Sequence, residues 1–266
     1  MRLSYALSLI EILPKFGVDQ TREKRMVATP ASIDDLQVDD LQGKVTQRIV
    51  LENVSWQTYQ ALLADMGDHR ASRLTYDEGT LEIKMPSKLH EIINRLLELI
   101  ITTLVEELGM SIKGYGSTTL DREDLQKGVE PDSCFYIQNA NCLQGLDPEI
   151  PEDLPPDLAV EVDITSSSTR RMGIYKQLGV PEVWRYTKQG ITISRLENGK
   201  YVECEFSPTF RMISAEILAD FLQQRQSTDD IGLVRFVRAW IRDWQKNEEQ
   251  IRALRVRASA LKQPHK

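Results

Sequence analysis

Two carboxylates stand where a buried strand should hold none. In "PPDLAVEVDITSSSTRR", from Pro155 to Arg171, Glu161 and Asp163 lie two residues apart inside an apolar run. Strand geometry puts them on one face and Val160, Val162 and Ile164 on the other. A solvated face would explain that alternation. Yet Leu158, Ala159, Val160, Val162 and Ile164 together read as a strand covered on both sides. An unpaired ionised carboxylate is so costly in a low-dielectric interior that such groups are found paired, protonated or bound to a cation. The pair therefore reads as a functional site.

A third carboxylate comes from "VEPDS", where Asp132 follows Pro131. Proline belongs at a strand start, a bulge or an edge, so Asp132 emerges where a strand bends. If that strand neighbours the one bearing Glu161, Asp132 and Glu161 can share a hard cation, Mg2+ or Mn2+. Such an ion takes one or two carboxylates plus waters and substrate phosphate oxygens. Asp163 supports them from the same face, and Glu91 or its neighbour His90 reaches the cluster if the helix carrying them packs there. A metal held in this way makes a nucleophile of bound water and stabilises charge on a phosphodiester oxygen. A nearby lysine or arginine completes the chemistry by orienting the water or neutralising the transition state. His90 by itself, at a helix start, reads as a structural or supporting group rather than a ligand. "TSSSTRR" lacks the glycines of a phosphate-binding loop and reads as a helix cap through Ser166, Ser167 or Ser168. Neither G-x-S-x-G nor HExxH occurs, which leaves serine hydrolase and zinc protease chemistry without support.

The elements that must position these groups are legible from periodicity. "WQTYQALLADM" from Trp56 has helical spacing, and "SRLTYDEGTLEIKMP" reads as a hairpin turning at "DEG". Ser87 to Gly109 carries a wide apolar stripe, a serine cap and a glycine stop, and is a long helix. Strands are expected over Ile112 to Thr119, Val129 to Ile137 and Leu158 to Thr165. A helix over Ser168 to Leu178, a strand "PEVWRYT", the hairpin "ITISRLENGKYVECEF" and a short helix "ISAEILADFLQQ" follow. That order favours an α/β (α+β) domain with a central mixed sheet flanked by helices. Residues 1–44 read as a disordered leader, in which Met26 would serve as well as Met1 for initiation. Residues 45–226 read as the domain, and 227–266 as a basic amphipathic C-terminal helix.

The bulk composition excludes several classes. At 266 residues, 41% hydrophobic and 27% charged, the chain is that of an ordinary soluble globular protein. Three cysteines without CxxC spacing suggest neither a disulfide framework nor a zinc site, and fit a reducing cytoplasm. No apolar run is long enough to span a bilayer. The net charge of −7 is unfavourable for a nucleic-acid binder, but the segment from Ile231 to Lys266 holds nine lysines and arginines against three acids. There, Ile231, Val234, Val237, Trp240, Ile241 and Trp244 read first as a docking or dimerising stripe with arginines in solvent, and second as a DNA-contacting arm; both hold in a homodimer.

"VEPDS", "DLAVEVD" and "STRRMGIYKQLGVPEVWRY", with "LTYDEGTLEIKMPSKLHE" ahead of the long helix, together resemble the Uma-two family of proposed restriction endonucleases, within the PD-(D/E)XK nuclease superfamily. The resemblance covers roughly Val45 to Leu222. It implies a restriction-endonuclease-like core acting on DNA with magnesium. Carried over by position, Asp132 is the aspartate of the "PD" element, Glu161 the acid of "(D/E)XK", and Glu91 the acid of the first core helix. Where the superfamily has lysine, this chain has Asp163, and where relatives place a lysine on the next helix it has Arg171. Arginine can clamp a phosphate but does not readily give up a proton. The implied activity is therefore a Mg-dependent endonuclease, and its alternative is a catalytically silent fold used as a nucleic-acid or protein-binding module.

Overall fold

The computed structural model describes residues 47–67, 71–146, 148–151, 153–164 and 169–261, with side chains described as far as Arg252. The expected leader and the serines of the expected cap before the second core helix lie outside these residues. Among the described residues eleven strands form two sheets and five α-helices pack against them. The C-terminal helix is present, and the class is mixed α/β.

The first sheet is antiparallel, in the order β1 (Gln47–Leu51), β3 (Thr80–Met85), β2 (Arg73–Asp77), β6 (Lys127–Val129), β5 (Leu120–Arg122). Its β2–β3 hairpin turns through Glu78 and Gly79, both at positive φ, +46° and +97°. Two successive left-handed residues match the twist of a two-residue hairpin, and this one fixes the register of β3. The helix α1 (Trp56–Met66), capped by Ser55, lays Trp56 and Tyr59 against Tyr76 of β2.

The second sheet has the order β11 (Lys200–Glu203), β10 (Gly190–Glu197), β9 (Glu182–Thr187), β8 (Leu158–Asp163), β7 (Ser133–Tyr136), β4 (Lys113–Gly116). Only β8 and β9 are parallel, and α3 (Thr169–Leu178) crosses between them. All six residues of β8 are buried. Val160 and Val162 pack into the main core with α2 (Lys88–Glu107) and Trp184, whereas Ala159 packs with Ile174, Tyr175 and Val183 under α3.

The single strand expected over Val129 to Ile137 is two strands in two different sheets. Pro131 has no N–H to give a ladder, and the chain leaves β6 at Glu130 and enters β7 at Ser133. Ile112 to Thr119 is similarly shortened to β4, and β5 is an element that periodicity did not reveal. A C-terminal pair completes the fold. The helix α4 (Ala215–Gln223) lies on β10, and α5 (Asp230–Leu261) runs alongside α2 with Leu233, Val237 and Ile241 buried in the same core.

Candidate active site at the junction of the two sheets

The break at Pro131 places Asp132 where the two sheets meet. Its carboxylate is 2% exposed and fixed by three donors on one oxygen: Val162 N at 2.7 Å, His90 Nε2 at 2.9 Å and Lys84 Nζ at 3.4 Å, all to Oδ2. An ionised carboxylate has no proton to give, so Nε2 of His90 carries the hydrogen. Burial alone would raise the Asp132 carboxyl, but Lys84 and His90 outweigh it and hold the group well below the usual carboxylate range. His90 is displaced in the complementary direction. Burial lowers it, the hydrogen bond to Asp132 raises it, and the net shift is upward. No hydrogen bond or ion pair from the described residues reaches Oδ1 of Asp132.

Glu161 and Asp163 point from β8 towards α3, whose buried face is Arg171, Ile174 and Tyr175, one helical turn apart. Tyr175 donates to Glu161 Oε1 at 2.5 Å. Arg171 Nη2 lies 2.7 Å from Glu161 Oε2 and 2.9 Å from Asp163 Oδ1. The first contact is an ion pair without hydrogen-bond geometry, so Oε2 is a buried oxygen with no hydrogen-bond donor on it, and Arg171 Nε is a buried donor with no acceptor. Burial pushes the Glu161 carboxyl up to about 7, with Arg171 pulling the other way and Asp132 and Asp163 adding to the rise. For Arg171, burial opposes the charge, but the three carboxylates around it hold the guanidinium firmly protonated.

The structure therefore brings Asp132, Glu161, Asp163 and Arg171 to one place. Glu91 stands apart from them: its side chain is half exposed at the rim, 3.6 Å from Arg73 and 3.5 Å from Nδ1 of His90. The residue of that helix turn that touches Asp132 is His90. Arg171 faces the carboxylates, and Lys176 of the same helix is exposed.

Lys84 is the residue that sequence reasoning missed. It sits on β3, 1% exposed, between Asp132 Oδ2 and the carbonyl of Val162 at 3.2 Å. Glu82, two residues earlier on the same face, is also buried, 3.2 Å from Arg48 and 3.8 Å from Arg171. The alternation Leu81, Ile83, Met85 against Glu82, Lys84 suggests an ordinary half-exposed hairpin strand. Only the packing of the second sheet against it turns the polar face inward. The position of "EIKMP" immediately before the helix bearing His90 was the available signal.

Whether these groups fit a metal ion is a matter of donor atoms. Among the described residues no three His, Cys, Asp or Glu side chains are grouped to close around an ion, so a tetrahedral protein cage has no place here. Two carboxylate oxygens, Asp132 Oδ1 and Glu161 Oε2, do lack hydrogen bonds. That set fits a hard ion that keeps most of its water.

The site is thus a buried cluster of acids and bases where the two sheets of a mixed α/β fold meet. Residues 56–225 match the Uma2 family, described as "Putative restriction endonuclease", and the chain belongs to that family. Among solved structures it matches a crystal structure described as a putative nuclease belonging to DUF820 from Anabaena variabilis ATCC 29413. The two are 17% identical, over 55% of this chain and 89% of that one, with a TM-score of 0.42. No curated protein matches the chain.

Proposed function

We propose that this protein is a Mg2+- or Mn2+-dependent endonuclease that hydrolyses phosphodiester bonds of DNA, with Asp132 and Glu161 as the metal ligands. The observation that carries the reading is the pair of half-used carboxylates. Each has one oxygen tied down, by Lys84, His90 and Val162 N or by Tyr175, and one without a hydrogen bond. A structural carboxylate buried this deeply has its acceptor capacity filled. The metal would supply an activated water and charge neutralisation at the phosphate. Lys84, His90 and Tyr175 position the ligand oxygens, Asp163 shares Arg171 with Glu161, and Arg171 is the cation available to a phosphate oxygen. Among the described residues no helix is long and apolar enough to cross a membrane.

The second reading, a catalytically silent binding module, is favoured by one specific observation: a guanidinium already lies against the carboxylates. Calorimetric titration of Mg2+ and Mn2+ into wild type and Glu161→Ala, followed by incubation with supercoiled plasmid, separates the two. The nuclease reading expects metal binding and nicking by the wild type alone. Metal-independent, salt-sensitive DNA binding without nicking would establish the module instead.

A further inference from the structure

We infer that Arg171 is a built-in counter-cation that holds the place of the metal, and that metal binding requires its guanidinium to leave the carboxylates. The inference rests on reading Asp132 and Glu161 as ligands, and adds the event that loads the site. Three observations carry it. First, Arg171 is 3% exposed and its Nη2 bridges Glu161 and Asp163 at 2.7 and 2.9 Å, so without a metal it supplies the positive charge that these buried carboxylates need. Second, the contact is poorly made for a permanent one. Nε has no acceptor, Nη1 is 3.8 Å from Glu82, and the approach to Glu161 Oε2 lacks hydrogen-bond geometry. Third, the atom it covers, Glu161 Oε2, is the one that a metal would take. A dication and a guanidinium on the same oxygen stand within the range where like charges disfavour each other strongly.

A well-made arginine pair elsewhere in the molecule shows the contrast. Arg242 grips Glu107 through Nε and Nη2 at 2.7 and 3.1 Å, a fork on both oxygens. Arg171 uses one nitrogen for two different carboxylates and leaves the rest of its donors short of partners. Other charged groups face the same cluster, Lys84 from β3 and His90 from α2, but both are bonded to Oδ2 of Asp132 and leave the ligand oxygens clear. Once displaced, the guanidinium has its planar fork free for a phosphate oxygen, so loading the metal and presenting the phosphate clamp become one coupled change.

The test compares wild type with Arg171→Met by calorimetric titration of Mg2+ and Mn2+, together with thermal unfolding in the absence and presence of each ion. Competition predicts that Arg171→Met binds the metal on the order of tenfold more tightly. It also predicts that the variant melts lower without metal and gains more from it than the wild type does. Equal or weaker binding by the variant, with the wild type still binding, overturns the inference and leaves the ligand assignment standing. Binding by neither protein overturns both. If the variant does not fold, the Arg171 Nε–H resonance of the wild type decides: it should shift and exchange faster with water as metal is added, and an unmoved resonance at saturation refutes displacement.

Discussion

Glu161 and Glu182 are both buried glutamates, on parallel neighbouring strands, and they are treated oppositely by their surroundings. Glu182 has both oxygens filled. Oε1 accepts from Trp184 Nε1 and Ser207 Oγ, each at 2.6 Å, and Oε2 from Thr209 N at 3.0 Å and Thr209 Oγ1 at 2.7 Å. It ties the loop before α4 to the sheet and is finished as a structure. Glu161 has one hydrogen bond, a second oxygen met only by the Arg171 guanidinium without hydrogen-bond geometry, and a carboxyl pushed up to about 7 by burial. Burial alone thus does not single out a candidate acid; incomplete hydrogen bonding does, because an oxygen without a donor has capacity left to bind.

Substituting glutamine at each position breaks this comparison most directly. In Glu182→Gln the amide NH2 meets an N–H donor whichever way it turns, Trp184 Nε1 on one side and the Thr209 backbone on the other. Chemical denaturation should show a loss on the order of 2 kcal/mol, with metal binding kept. In Glu161→Gln the amide can turn its oxygen to Arg171 and donate its NH2 to the Tyr175 hydroxyl, which accepts as well as donates, and the acid that burial opposes is gone, so its stability loss should be the smaller. Its metal affinity, read by calorimetry, should fall at least about tenfold. If the two variants lose stability equally and metal binding is untouched, Glu161 is another Glu182 and the site assignment is wrong.

The acid–base behaviour sharpens the same contrast. A carboxyl raised in the folded state contributes stability that is present below its unfolded value of 4.5 and is lost as pH rises through about 7. The metal-free protein should therefore lose stability between about pH 5 and pH 7.5, on the order of 2 kcal/mol. Glu161→Gln should flatten that slope. Asp132 acts in the other direction: its depressed carboxyl contributes stability above 3.8 that disappears as the solution is acidified. Urea melts in chelator, carried from about pH 7.5 down to below 3.8, check both signs, and a Glu161→Gln slope equal to that of the wild type between about pH 5 and pH 7.5 would contradict the buried-acid account.

What the sequence disclosed about this site follows the range of its interactions. Asp132, Glu161, Asp163 and Arg171 were visible because each stands out against its own segment: acids in an apolar strand, an aspartate after a proline, an arginine opening a helix. The long helix and the hairpin were visible from period and turn residues, and each has its expected cap or turn. Lys84 and the preference for His90 over Glu91 were not visible, because they depend on how one sheet sits against the other. Both His90 and Glu91 occupy the first turn of α2, and only the packing of that helix on β7 and β8 decides which one faces Asp132. The splitting of Val129 to Ile137 is intermediate. Pro131 announced a break, but a break in one strand and a passage between two sheets look alike until long-range pairing is known.

The smallest expected effect concerns charge at the surface, and it tests whether good geometry or burial sets the worth of an ion pair in this molecule. Along the seam of α2 and α5, Arg242 makes a two-nitrogen fork with Glu107, and Arg238 links Glu106 and Glu107, each contact at 2.7 Å where it is shortest. The geometry is better than anything Arg171 achieves, yet the Arg242 side chain is 59% exposed, where water screens the pair. The apolar residues Leu233, Val237 and Ile241 beneath it hold the seam by burial. Arg242→Ala should therefore cost less than about 1 kcal/mol in urea unfolding, and the cost should shrink further as salt is raised. A loss larger than that of Glu182→Gln would mean that bonding geometry outranks burial here. The poorly bonded, fully buried Arg171 would then have to be reconsidered as the weaker of the two pairs.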